Sequence, residues 1–166
     1  MVEINPSITF QRPVDTDISL AFRKVFSVLE PEEEGFLLKS AAQHLYRAGE
    51  TIVRQNEYLT ALYVIVEGEA RVEMTHDESG DRSELARLSR GDIFGEVSFV
   101  DNQPTSANVI ADTDIEVLVV EDDVIRSLFY ADPTFARRFY HSIAVTLAKR
   151  LRETNPKVLV SPGTKH

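Results

Sequence analysis

Phe94-Gly95-Glu96 and, a little further on, Thr105-Ser106-Ala107 are the residues of this 166-residue chain whose types and spacing could do chemistry. They lie in the segment LSRGDIFGEVSFVDNQPTSANVIAD, residues 88–112. Gly91 and Gly95 bracket Asp92, Ile93 and Phe94, and Glu96 opens an apolar stretch, Val97 to Val100, before the polar turn Asp101-Asn102-Gln103-Pro104. A Gly-Glu pair that opens a short helix inside a β-rich region exposes backbone N–H groups, which suit an anion. It also sets a carboxylate where it can accept hydrogen bonds from a hydroxyl or a vicinal diol. This is the chemistry of binding rather than of bond-making, and a helix start with Glu is by itself common.

Composition removes most catalytic alternatives. There is no cysteine, which excludes a disulfide scaffold, a thiolate zinc site, an iron–sulfur cluster and a cysteine nucleophile. The four histidines, His44, His76, His141 and His166, are scattered, and no His-x-His occurs, so a cupin-like metal site finds no ligands. Ser98, Ser106 and His141 stand in no nucleophile-elbow setting. No catalytic residue and no metal ligand is therefore assigned, and no cofactor is expected beyond a possible cyclic nucleotide or other small molecule. Lys and Arg number 18 against 27 Asp and Glu, a net charge of −9, which argues against a chain built to track a phosphate backbone. No apolar run reaches the length of a membrane span. The start MVEINPSITFQ has an early Glu3 and no basic or apolar leader region, so a cytoplasmic location is the expectation.

The elements that must position these residues follow from texture. Residues 1–16 hold two prolines and no clear period, and read as an irregular arm. Asp17 can cap a helix running through Leu20, Val25, Phe26 and Leu29. Pro31 suits a first helical position, and Glu32, Glu33 and Glu34 favour the positive end of that second helix, expected to about Ala42. The acidic trio reads as a cap rather than as a partner-binding patch. Seven short β-rich runs follow: HLYRAG, TIVRQN, ALYVIVEG, EARVEMTH, RSELARLSRGD, TSANVIAD and TDIEVLVVED. Each is closed by a turn residue or lies next to one, and such spacing predicts an all-β sandwich or barrel. The continuous apolar run LYVIV predicts a strand buried on both faces. Glu67-Gly68 predicts a hairpin turn, and His76 to Asp81 a second hairpin tip. Helical period returns from Asp122 to Tyr130. Asp132-Pro133 then caps a long helix to about Glu153, closed by Pro156 and Pro162.

In that last helix Phe135, Phe139 and Ile143 are followed by Tyr140, Ala144, Leu147 and Leu151, the second set at heptad-like spacing. Together they cover more of the circumference than one packing surface needs. One face is therefore expected on the chain's own barrel and the other, the Tyr140/Ala144/Leu147/Leu151 seam, on a second copy. Arg137, Arg138, Lys149, Arg150 and Arg152 read as the solvated flank of that seam rather than as a nucleic-acid face.

From about residue 20 to 153 the chain resembles the cyclic-nucleotide-binding domain superfamily, of the catabolite activator protein and cyclic-AMP-dependent kinase regulatory-subunit type. The matching residues are Gly49 in AGETIVRQN, Leu62 to Gly68, Gly91-Asp92, Phe94-Gly95-Glu96, Ser106-Ala107-Asn108-Val109 and Asp132-Pro133 with Phe135. The resemblance implies an α+β domain over residues 17–155: an eight-stranded β jelly roll with N-terminal helices and a long C-terminal helix, followed by a tail, 156–166. It implies a phosphate-binding cassette whose ligand-binding residues are Phe94, Gly95, Glu96, Val97, Thr105, Ser106 and Ala107. Gly95 and Glu96 stand where the family holds the ribose 2′-hydroxyl. Ser106 and Ala107 stand where small residues donate backbone N–H groups to the cyclic phosphate.

Two departures from the family pattern matter. Asn56 stands for a glycine and is tolerated, since Asn adopts the left-handed conformation. Thr105 stands where the phosphate-pairing arginine belongs. A hydrogen bond to a charged group is worth about 1.5–3 kcal/mol, so its loss weakens binding roughly 10- to 150-fold. Arg82, Arg87 and Arg90 are the nearby arginines that could replace it. The resemblance thus implies a stand-alone, non-catalytic sensor that binds cyclic AMP weakly or not at all and acts through an unknown protein partner or as a homodimer. The alternatives are a genuine cyclic-AMP or cyclic-GMP signalling protein and a ligand-free assembly module. No DNA-reading domain and no membrane are expected.

Overall fold

The computed structural model describes residues 16–158. Two helices, α1 (Thr16–Val25) and α2 (Pro31–Ser40), precede β1 (Ala42–Tyr46), β2 (Thr51–Val53), β3 (Ala61–Glu67), β4 (Ala70–Thr75), β5 (Arg82–Leu88) and β6 (Ile93–Phe94). The short helix α3 (Glu96–Asp101), strands β7 (Asn108–Ala111) and β8 (Ile115–Glu121), and helices α4 (Asp122–Ala131) and α5 (Pro133–Val158) complete the chain. The strands form two four-stranded antiparallel sheets, ordered β1-β8-β3-β6 and β2-β7-β4-β5. This is the eight-stranded jelly roll with flanking helices that the sequence implies.

The apolar runs are continuous because the central strands of the first sheet, β3 and β8, are buried on both faces. Leu62, Val64 and Val66 of β3, with Leu118 and Val120 of β8, face the helices and pack with Phe22, Phe26 and Phe139. Ala61 and Ile65, with Ile115, Val117 and Val119, point the other way, against Val53, Ala70, Leu88 and Val109 of the second sheet. Each such Val, Leu, Ile or Phe side chain, fully buried, contributes on the order of 1.5–3 kcal/mol.

The structure corrects several expectations. Glu67-Gly68 is not a hairpin turn. Both edges of β3 are taken, by β8 and β6, so the chain leaves for the other sheet and β4 pairs with β5 and β7. Gly68 does take a positive φ, 92°, and a Cβ there would lie 2.4 Å from the Asp114 carbonyl oxygen. The tip at residues 76–81 does join paired strands, β4 and β5. Asp17 lies inside the first turn of α1 rather than before it. The second helix stops at Ser40 because Ala42 already pairs with Val119. The arm expected over residues 1–16 lies outside the described residues except for Thr16, and so does the tail beyond Val158. The last helix passes Glu153 and Pro156 to Val158. A proline so near the end costs the helix one bond, to a carbonyl on a turn whose side chains are exposed.

Glu33 both caps α2 and ties it to α5. The Glu30 N–H donates to Glu33 Oε2 at 2.9 Å. Arg138 Nε donates to the same oxygen at 3.0 Å, and its Nη2 to Oε1. Chiefly through the Arg138 hydrogen bond, the Glu33 carboxyl titrates below its ordinary range. Its stabilising contribution is therefore complete above the unfolded-chain value, about 4.3, and is lost as pH falls through the lower folded value. Thermal unfolding of Arg138→Met is expected to fall less steeply than wild type on acidification below about pH 5; parallel curves would contradict the assignment.

Candidate functional site

Gly95 makes the turn into α3 at φ +86°, where a Cβ would stand 2.9 Å from the Ala61 carbonyl oxygen. Only glycine enters α3 here without strain. Phe94 is held beside it by Tyr63, whose ring stacks at 4.8 Å and 7°. Burial pushes the Tyr63 hydroxyl up to about 12, so it stays protonated. Asn102, at φ 56°, ends the helix with its N–H on the Ser98 carbonyl at 2.9 Å.

A cavity of about 410 Å³ opens between α3, the loop after it and the second sheet. All seven residues marked in the sequence line it: Phe94, Gly95, Glu96, Val97, Thr105, Ser106 and Ala107. Val53, Leu59, Val72, Ala86, Leu88 and Val109 supply apolar wall. These wall residues give no local signal in the sequence, since each looks like an ordinary strand or loop position.

The Thr105 hydroxyl is committed to hydrogen bonds within the protein. It is buried, and its Oγ1 donates to the Arg54 carbonyl at 2.5 Å and accepts from the Glu57 N–H at 3.1 Å. Its own N–H donates to the Glu57 carbonyl at 2.9 Å, and its carbonyl accepts from the Asn56 N–H at 2.8 Å. Thr105 therefore fastens the cassette to the loop after β2. Asn56 in that loop has φ 66°, the left-handed conformation expected of it.

The charged group that does enter is Arg150, from α5. Its Nη1 donates to Glu96 Oε1 and its Nη2 to the Ile93 carbonyl. Glu96 is only 3% exposed. Burial raises its pKa, and the Arg150 charge works against that rise. The nearby arginines are engaged elsewhere: Arg82 with Glu73 at 3.4 Å, Arg87 with Glu84 at 2.8 Å and Asp112 at 3.2 Å, and Arg90 with Asp17 at 3.3 Å. None of the three lines the cavity. The solvated flank expected of α5 is thus corrected at two positions. Arg137, Lys149 and Arg152 are exposed, but Arg138 binds Glu33 and Arg150 binds Glu96. Facing inward rather than along the flank, these two find carboxylates that burial leaves needing a counter-charge.

A second arginine holds the other end of α3. Arg126 of α4 lies 4.6 Å over the Phe99 ring, with Nη2 3.3 Å from Asn102 Oδ1. Behind α3, Phe99 packs against Phe129 and Phe139 at 6.2 and 5.5 Å. Both C-terminal helices therefore touch the cassette helix directly. The outer face of α5 carries Tyr140, 39% exposed, and Leu151, 64% exposed, with Ala144 exposed and Leu147 half-buried between them. Phe135, Phe139 and Ile143 are buried on the inner face, as their spacing predicts. Among the described residues no helix is long and apolar enough to cross a membrane. No group of three or more His, Asp or Glu is placed to hold a metal ion there.

Known proteins share the sequence pattern and the fold. The chain is 34% identical over 131 residues to the "Cyclic AMP receptor protein" of Thermus thermophilus, covering 79% of this chain and 58% of that one. The crystal structure of the Thermus thermophilus catabolite activator protein superposes with a TM-score of 0.67 at 32% identity, over 81% of this chain and 61% of that one. A cyclic nucleotide-binding domain from Methylobacillus flagellatus shares the fold at TM-score 0.74 and 20% identity, over 89% and 86% of the two chains. The chain thus spans a little over half the length of the first of these relatives. The sequence profile described as "Cyclic nucleotide-binding domain" matches residues 43–132, the stretch that runs from β1 through the cassette to the end of α4, and on that match the chain belongs to the cyclic nucleotide-binding domain family.

Proposed function

We propose that this chain is a non-catalytic regulatory module, cytoplasmic, whose cavity binds cyclic AMP weakly or not at all, and that it acts through a protein partner or by dimerising. The observation that carries this reading is Thr105. It stands in place of a phosphate-pairing arginine, and its hydroxyl is already committed to Arg54 and Glu57. A cyclic phosphate would meet Glu96 and Asp101 in the cavity lining, with Arg150 the only lining cation among the described residues. An anion moved out of water without a counter-charge pays heavily in desolvation. Phe94, Gly95, Glu96, Val97, Thr105, Ser106 and Ala107 remain the proposed ligand contacts.

The proposed output is α5. A ligand that takes Glu96 away from Arg150 would bind differently with that contact made and with it broken, which is the condition for switching. The Tyr140/Ala144/Leu147/Leu151 seam would carry a homodimer. Sedimentation at high micromolar concentration is expected to show a dimer that Leu151→Glu dissociates; a wild-type monomer there would remove this part of the proposal. A ligand-free assembly module is a second reading, favoured because Arg150 already supplies Glu96 with a partner. Titration calorimetry with cyclic AMP and cyclic GMP tests the binding claim. No saturable heat at micromolar concentration is expected, and a micromolar Kd would overturn it.

A further inference from the structure

We infer that the cavity accepts a small organic cation with an apolar body, whose charged end replaces the Arg150 guanidinium on Glu96. The inference rests on the reading that a cyclic nucleotide is not the favoured occupant. It comes from the wall and the charge of the cavity itself. Six of its lining side chains, Val53, Leu59, Val72, Ala86, Leu88 and Val109, form an apolar surface on the barrel side. Among the described residues its ionisable groups are Glu96, Asp101 and Arg150, a formal net charge of −1. The carboxylate is the buried member, 3% exposed, while the Arg150 side chain is 29% exposed and reaches in from the helix outside. Arg150 thus already shows what the carboxylate takes: a planar cation that donates hydrogen bonds, one to Oε1 and one to the neighbouring Ile93 carbonyl. A guanidinium or amidinium carried on an aromatic or aliphatic body would repeat those bonds. It would also bury its body against the wall, which Arg150 on its own stem does not fill. An anion would meet Glu96 and Asp101, and a neutral molecule that displaced Arg150 would leave the buried carboxylate without a charge partner.

Three probes with one shape and three charges test this: benzamidine (cation), benzamide (neutral) and benzoate (anion). Each is titrated into the full chain and followed by amide chemical shifts at Gly95, Glu96 and Arg150. Saturable benzamidine binding, about tenfold or more tighter than benzamide and with no benzoate binding, is expected, since a hydrogen bond to a charged group carries that much. In Arg150→Met, which keeps an apolar stem and frees Glu96, benzamidine should bind more tightly still. Adding Glu96→Gln should abolish the preference over benzamide. Equal binding of all three probes, or no benzamidine binding to the wild-type chain at millimolar concentration, would overturn the inference. If Arg150→Met does not fold, the wild-type series alone decides. These outcomes are independent of the cyclic-AMP titration. Micromolar cyclic-AMP binding would defeat the proposed function, whereas an indifferent benzamidine series defeats only the ligand class.

Discussion

Phe139→Ala is expected to lower the unfolding free energy by about 3–5 kcal/mol, a large share of the roughly 5–15 kcal/mol a domain possesses. Phe139 is wholly buried, and five rings surround it: Phe26, Phe99 and Phe129 at 5.5 Å, Phe135 at 5.9 Å and Tyr140 at 6.0 Å. These rings come from the turn after α1, the cassette helix, α4 and α5 itself. Removing the ring leaves a void that the strands behind it, fixed on both faces, are poorly able to close. Denaturant unfolding should show a lower midpoint at unchanged slope. Leu151→Ala, on the exposed face of the same helix, should change the stability of the isolated fold by no more than about 0.5 kcal/mol. Comparable losses at both positions would mean that the inner and outer faces of α5 have been misassigned.

Thr105→Arg is expected to have two opposite effects. It removes the hydroxyl that bonds the Arg54 carbonyl and the Glu57 N–H, leaving a partly buried donor unpaired, at a cost of about 1–3 kcal/mol in stability. It also brings a guanidinium to the cavity wall, where it can pair with a phosphate. A hydrogen bond to a charged group contributes about 1.5–3 kcal/mol, so cyclic-AMP affinity should rise roughly 10- to 150-fold. A lower midpoint together with tighter cyclic-AMP binding is the signature. Thr105→Val should show the first effect without the second. The pair of variants separates loss of a loop anchor from gain of a charge.

How much of this was legible beforehand depends on the range of the contacts. The doubly buried strands were readable because burial on both faces leaves a local trace, the run Leu62 to Val66. Ile93-Phe94 was not, since two residues carry no period; pairing with Tyr63 and Val64 alone makes them a strand. The misread turn at Gly68 has the same origin. A glycine reports the local φ, but which strand pairs next is settled by β8, far along the chain. Seven of the residues that line the cavity could be marked because they fall in one segment with distinctive glycine spacing. Arg150 could not. It stands 54 residues from Glu96, and on its own helix it looks like any other basic flank position. Thr105 could be marked in the sequence, but not its role as a loop anchor, because its partners lie 48 and 51 residues away.

The proposed weakness toward a cyclic phosphate comes down to one missing charge, at Thr105. The ratio of cyclic-AMP dissociation constants between the wild-type chain and Thr105→Arg, measured by titration calorimetry in one buffer, tests it most directly. A ratio of about ten or more is expected, with wild-type binding weaker than micromolar. Micromolar binding by the unmodified chain, with a ratio near one, would contradict it.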